Sequence, residues 1–167
     1  MKHLFVFSLL AFMFVLTGCP VSTKNSIDNG SYDTPSWLTG KWCEIDSAGN
    51  SKDCYMIASG TKKGNLAYWE VDAKGVKKDM NTRPLVLSKI KDKIFLSAYV
   101  PGDGTTEDGY YLFEFRKVSN SEFILAGMKE HSIDEDASQA DIMKFIENNM
   151  NDKSLFPKEE MSRYKKK

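Results

Sequence analysis

The chain has 167 residues, and its 23 Lys and Arg residues balance 23 Asp and Glu residues, so the formal net charge is zero. Such a balance provides no overall field for nucleic acid, and we expect no nucleic-acid partner. Aromatic residues form 12% of the chain. This content excludes a disordered polar chain and favours one packed domain.

The first 18 residues are typical of an export signal. Lys2 precedes an almost unbroken apolar run from Leu4 to Leu16, and small residues follow, as in a cleavable signal peptide. The run has 13 residues, whereas a transmembrane helix needs about 20. We therefore predict that residues 1–18 are removed. The remaining 149 residues carry 22 basic and 23 acidic side chains, a net charge of −1.

Leu16-Thr17-Gly18-Cys19 resembles the lipobox of bacterial lipoproteins. In that family the cysteine receives a diacylglycerol, the signal is cut before it, and the new N-terminus is acylated, commonly with palmitate. The resemblance implies a mature chain that starts at Cys19 and is attached to a membrane by its lipid. Residue 20 is Pro, and not the Asp that often retains such proteins at the inner membrane. The resemblance thus implies the periplasmic face of the outer membrane.

Residues 19–35 are predicted to form the lipidated N-terminus and a flexible tether. The stretch is rich in Ser, Thr, Asn, Gly and Pro, and a coil of this length spans about 20–24 Å on average. The folded domain is then expected over residues 36–167.

Cys43 and Cys54 are predicted to form a disulfide across a hairpin. Each lies in a short apolar stretch, and the turn between them, residues 46–51, is centred between the two cysteines. Directly opposed residues of antiparallel strands are close enough for a disulfide, and the periplasm is oxidising. The alternative is a pair of buried free thiols. A redox or zinc Cys-x-x-C pattern is absent from the sequence.

Most of the remaining chain is predicted to be β-strand. Short runs rich in aromatic and β-branched residues alternate with turn residues, as in an antiparallel meander. Period-two patterning on these runs indicates a sheet with a buried side. The predicted strands are residues 41–46, 52–58, 65–71, 84–90, 93–100, 110–118 and 122–128, with a last short strand at 161–164.

One helix is predicted over residues 139–150. Ser138 precedes it and has an acidic residue three positions later, which resembles a capping box. Ile142, Phe145 and Ile146 then recur at helical spacing. We expect this apolar face to pack against the sheet.

Gly40-Lys41-Trp42 resembles the Gly-x-Trp signature of lipocalins and related calycin barrels. The resemblance implies an eight-stranded antiparallel barrel whose closed end is plugged by Trp42, with a late helix outside it. The family's Trp often packs under an Arg, and Arg116 and Arg163 are the candidates. The predicted fold class is therefore mostly β, a lipocalin-like barrel or sandwich of about 7–8 strands with one C-terminal helix.

A barrel of this size can hold one small ligand or be filled by its own side chains. Aromatic residues on alternating strands are expected to supply the walls of a site for a small apolar ligand. We expect no cofactor. The candidate wall residues are Trp69, Phe95, Tyr99, Tyr111, Phe113 and Phe115.

Two other functions are alternatives to a ligand-binding role. A periplasmic protein could be the partner of an inhibitor, immunity or envelope-assembly protein, with residues 101–109 and 130–136 as contact candidates. Glu70 or Glu114 could serve as acid or base if it points inward, but we expect no enzyme activity. His131 has no evident nucleophile in its neighbourhood of the sequence, and its acidic segment lacks an EF-hand pattern. We expect no metal site there or at residues 103–108.

Overall fold

A computed structural model describes residues 21–78, 81–102, 108–129, 131–158 and 161–167. Within these ranges the chain forms nine strands, one α-helix and a single-turn 3-10 helix at Ser36–Leu38. The elements are β1 (Ser22–Thr23), β2 (Gly40–Ile45), β3 (Ser51–Ser59), β4 (Asn65–Val71), β5 (Arg83–Ile90), β6 (Lys93–Val100), β7 (Gly109–Ser119), β8 (Glu122–Gly127), α1 (Gln139–Asn149) and β9 (Met161–Lys166).

Eight of these strands close into an antiparallel barrel. Strands β2 to β8 pair in sequence order, and β9 pairs with both β8 and β2. Trp42 lies opposite Lys166 on one side of β9, and Glu122 lies opposite Lys165 on the other. The predicted fold class is confirmed as a barrel, and the sandwich alternative is excluded because β9 pairs along both of its sides.

The alternation of side chains along β7 separates two apolar regions. Phe113 and Phe115 point into the barrel, whereas Leu112 points outward into a second cluster beneath α1. Ile142 and Ile146 of α1 are fully buried in that outer cluster. Both faces of this part of the sheet are therefore apolar, because the helix covers the outer face.

Helix α1 begins where the capping pattern predicts. The Ser138 hydroxyl accepts a hydrogen bond from the backbone N–H of Asp141 at 3.2 Å. This bond satisfies one of the amide groups that a helix leaves without a partner at its start. The predicted helix is confirmed to within one residue, since it ends at Asn149.

The predicted disulfide is confirmed. Cys43 and Cys54 lie directly opposite each other on β2 and β3, with their Cα atoms 4.0 Å apart, and their sulfurs are bonded. The bridge lies on the outer surface of the barrel wall, where it packs against Val71, Met56 and Trp69. It fastens the first hairpin of the barrel.

Residues 21–35 differ from the predicted flexible tether and lie against the outside of the barrel; we call them the strap. Val21, Thr23 and Ile27 are 3%, 1% and 0% exposed. The Ile27 backbone N–H donates to Ser97 Oγ at 3.1 Å, and the Tyr32 N–H donates to the Leu87 carbonyl. The tether prediction is wrong here because a few buried anchors hold a segment whose average composition is polar.

The strap ends at the plugged end of the barrel, which we call the closed end. Trp42 is fully buried there and donates its indole N–H to the Leu38 carbonyl at 2.7 Å. The ammonium of Lys166 lies 5.6 Å from the centre of the Trp42 ring. The expected arginine over this Trp is therefore replaced by a lysine.

Both arginine candidates have other partners. Arg116 makes two hydrogen bonds to Glu114, at 3.0 and 2.8 Å, and Arg163 pairs with Glu122. Each lies on the outside of the barrel wall, where the register of its strand directs it. The prediction that one of them covers Trp42 is wrong.

Candidate functional site

The barrel encloses a cavity of about 480 Å³. This volume lies within the range of small-molecule sites, so the side chains of the barrel do not fill it. The walls are mainly aliphatic and aromatic. They are formed by Leu38, Trp42, Tyr55, Ile57, Tyr68, Arg83, Leu85, Leu96, Ala98, Val100, Pro101, Tyr111, Phe113, Phe115, Phe123, Leu125 and Tyr164.

The cavity is closed at one end and open at the other. Leu38, Trp42 and Phe123 are buried at the closed end. At the opposite end, which we call the rim, Val100 is half-buried and Pro101 is exposed. The change from buried to exposed lining residues shows that the cavity reaches solvent at the rim.

A few polar groups line the cavity. The Tyr68 hydroxyl donates to the Tyr99 backbone carbonyl at 2.7 Å, which ties β4 to β6. The guanidinium of Arg83 lies 5.9 Å from the centre of the Tyr68 ring. Within the described chain, Arg83 is the cationic side chain among the lining residues. The cavity therefore combines an apolar body with a few polar groups, as small-molecule sites do.

Two lining tyrosines stay protonated over the physiological pH range. Burial, followed by the negative charges of Asp53, Glu70 and Glu44, raises the pKa of Tyr55 to about 12. Burial, with Glu44 as the next cause, raises the pKa of Tyr164 well above its usual value. Both hydroxyls can therefore donate and accept hydrogen bonds.

The acidic groups beside these tyrosines have polar partners of their own. Glu70 pairs with Lys78. Glu44 accepts a hydrogen bond from Ser162 at 3.2 Å and lies 4.0 Å from the Lys52 ammonium. This side of the rim is therefore charged but largely balanced.

Three of the six predicted wall residues line the cavity. Tyr111, Phe113 and Phe115 project inward from β7. Phe115 also contacts Phe123 and Trp37, with ring centres 5.1 and 6.1 Å apart. These three residues are cavity walls, and their contact with a ligand stays a prediction.

The other three predicted wall residues lie on the outside of the barrel. Phe95 is fully buried beneath α1, with its ring 5.9 Å from that of Phe156. Trp69 packs beside the disulfide. Tyr99 packs edge-on against Tyr110. Their assignment to the wall is wrong because each directly precedes or follows an inward-facing residue, so strand alternation turns it outward.

Sequence reasoning missed the polar lining residues. Tyr55, Tyr68 and Arg83 face inward from β3, β4 and β5, and Tyr164 does so from β9. Strand register could have found Tyr55, since it lies directly opposite Trp42. Opposed residues of an antiparallel pair share a face.

The two carboxylates considered for acid–base chemistry lie in different surroundings. Glu114 is buried on the outer side of β7, held by Arg116 and by the Lys93 ammonium at 3.6 Å. Glu70 lies near the rim and is paired with Lys78. Glu114 therefore does not face the cavity, and Glu70 is ion-paired and is not among the residues that line the cavity.

A smaller polar cavity lies outside the barrel, where His131 and Ser132 meet the end of α1. His131 is exposed and has a positive φ of 58°. In the described ranges, no group of three or more His, Cys, Asp or Glu side chains is arranged to hold a metal ion. Residues 103–107 and Glu130, parts of the predicted contact segments, lie outside the described residues.

Comparisons of the chain with protein-family models, with curated proteins and with solved structures find no match. The lipobox-like residues up to Cys19 lie outside the described part of the chain. Among the described residues, no helix has both the length and the apolar character that crossing a bilayer requires.

Proposed function

We propose that this protein is a membrane-anchored periplasmic lipoprotein that binds a small apolar ligand inside its barrel. The observation that carries the proposal is the open cavity of about 480 Å³ with aliphatic and aromatic walls. A calycin-like ligand-binding domain is compatible with this barrel. The attachment is proposed from the lipobox-like residues ending at Cys19.

The lining specifies the character of the ligand. Phe113, Phe115 and Leu96 surround its deep part, where an apolar body gains most from leaving water. Arg83 lies at the start of β5, nearer the rim, where a polar end can form hydrogen bonds. A ligand with one apolar and one polar end fits this gradient.

A binding role is also preferred to catalysis. Glu114 lies outside the cavity in an ion-pair network, and Glu70 is engaged by Lys78. Tyr55 and Tyr164 keep their protons at physiological pH. These groups suit recognition of a polar end, and we propose no reaction.

The first test is native mass spectrometry of residues 20–167 purified from the periplasm. A co-purifying small molecule would support the proposal and identify its chemical class. A clean protein mass that also gains nothing from added apolar probes would contradict it, and would direct the search to protein partners.

A blocked cavity provides the matched variant. Ala98 faces the cavity, so Ala98→Trp should fill its middle and abolish binding of a fluorescent apolar probe such as an anilinonaphthalene sulfonate. Ala67 lies beside the inward-facing Tyr68 and therefore faces outward. Ala67→Trp adds the same volume outside, and it should leave probe binding unchanged. Equal binding by both variants would place the probe elsewhere.

A further inference from the structure

The strap begins beside the rim half of β7, and β1 runs antiparallel to β7, towards the rim. Ser22 of β1 lies opposite Tyr111 at the start of β7, and the Val21 N–H donates to the Met128 carbonyl at 2.9 Å. Gly109 allows this approach, because a Cβ there would lie 2.5 Å from Ser22 Oγ. Gly109 is opposite Val100, which lines the open end of the cavity.

The start of the strap is firmly attached. The side chains of Val21 and Thr23 are almost completely buried. The Lys24 N–H donates to the Glu135 carbonyl at 2.8 Å, and its ammonium pairs with Asp136 at 2.7 Å. Detaching the strap would expose the Val21 side chain and break these hydrogen bonds. The position of Val21 relative to the rim is therefore fixed.

Chain length then limits where a lipid on Cys19 can be. Two peptide links separate Cys19 from Val21, and consecutive Cα atoms are about 3.8 Å apart, so their Cα atoms lie within about 7.6 Å of each other. Strand β7 runs from Gly109 at the rim to Ser119 at the closed end, a path of about 33 Å. By register Val21 lies level with Leu112, three residues from the rim end of β7, so an anchor at Cys19 holds the half of the barrel that contains the rim.

We propose that the lipid on Cys19 holds the barrel with its rim towards the bilayer, so that the cavity opens onto the lipid surface. This rests on the lipid attachment in the proposed function. The partner of the rim is the lipid surface to which the protein is anchored. A ligand with an acyl or other apolar chain can then pass between bilayer and cavity over a short distance.

The charges on the barrel surface favour the opposite orientation, with the closed end towards the membrane. The closed end carries many lysines, which would face an anionic membrane if charge decided the orientation. The short anchor instead directs this end away from the bilayer. The lysines lie in or beside its turns and at the end of β9: Lys62, Lys63, Lys91, Lys117, Lys165 and Lys166.

The test measures which end of the barrel lies near lipid. The full lipidated chain, labelled with ¹⁵N, is inserted into phosphatidylcholine nanodiscs that contain a gadolinium-chelating lipid. Paramagnetic broadening is compared at amides of the rim turns 46–50 and 72–76 and of the closed-end turns 60–64 and 91–92. Broadening falls with the sixth power of distance, and the tilted strands separate the two ends by about 20 Å along the barrel axis. We therefore expect more than tenfold greater broadening at the rim, and equal or reversed broadening would overturn the proposal.

Two controls separate the anchor from other causes. Inserting 15 Gly and Ser residues between Cys19 and Val21 should remove most of the difference in broadening between the two ends, because the longer linker would no longer hold the rim near the bilayer. If the difference persists, the barrel surface and not the anchor sets the orientation, and the proposal fails in its present form.

The orientation is tested even if the natural chain is not acylated. The mass of the N-terminal peptide reports acylation separately, and its absence would refute the proposed attachment. A phosphatidylethanolamine-maleimide can then be coupled to Cys19, since Cys43 and Cys54 are bonded to each other. Rim-first broadening of this conjugate would support the geometric inference, whereas broadening centred on the closed end would refute it.

Discussion

Replacing Ile27 by Ala tests whether the strap is part of the folded domain. Ile27 is fully buried in the cluster beneath α1, together with Phe95, Leu112 and Ile146. The change removes three buried carbons and leaves a cavity, and substitutions of this kind cost about 2–5 kcal/mol. We expect the free energy of unfolding to fall by about 3 kcal/mol, since the backbone bond from Ile27 to Ser97 can persist.

The assay is urea unfolding of the disulfide-bonded domain, followed by tryptophan fluorescence. With a urea dependence of about 2 kcal/mol/M, the midpoint should fall by about 1.5 M. Asn29 is exposed in the same segment, so Asn29→Ala serves as the control and should change the midpoint little. A loss below about 0.5 kcal/mol for Ile27→Ala, the usual range of surface changes, would mean that residues 21–35 behave as the flexible tether after all.

Three further outcomes follow from described contacts. Above pH 10 the unfolded chain loses the Tyr55 proton while the folded chain keeps it up to a pKa of about 12. The free energy of unfolding should therefore fall between pH 10 and 12, by less than about 2 kcal/mol since the side chain is partly exposed. In urea titrations, Tyr55→Phe should lack this contribution to the pH-dependent fall. Reducing the Cys43–Cys54 bridge should lower stability by about 3 kcal/mol, read from urea midpoints with and without dithiothreitol. Ser138→Ala should cost about 1 kcal/mol by loss of the helix cap, and Ser138→Asp should restore it; thermal melts that do not distinguish these variants would contradict the capping role.

Sequence patterns predicted the barrel strands well, for a physical reason. Turn residues and period-two alternation are local, and the eight barrel strands lie close to the ranges predicted from them. The cysteine pair at 43 and 54 added the register of one hairpin, which the structure shares. Local chemistry was enough for the elements and for their antiparallel order.

The inside of the barrel could not be predicted from alternation alone. Along β6, Phe95 and Leu96 are both buried, one beneath α1 and the other in the cavity wall. A helix that covers the outer face makes both faces apolar, so the pattern does not show which one is inside. That choice depends on contacts with α1 and the strap, which are distant in sequence. The strap was missed for a related reason, because Val21 and Ile27 are its few buried apolar anchors.

The position of β9 has a consequence for how the protein reaches its folded state. The barrel closes only when Met161–Lys166 enters between β2 and β8, so the last strand made is needed to protect the first. Until it arrives, both neighbours expose unpaired backbone edges that invite association with other chains. The pairing of β2 with β9 is also among the most sequence-distant in the fold, and such contacts form slowly. A chaperone that shields strand edges would therefore act on this chain before barrel closure.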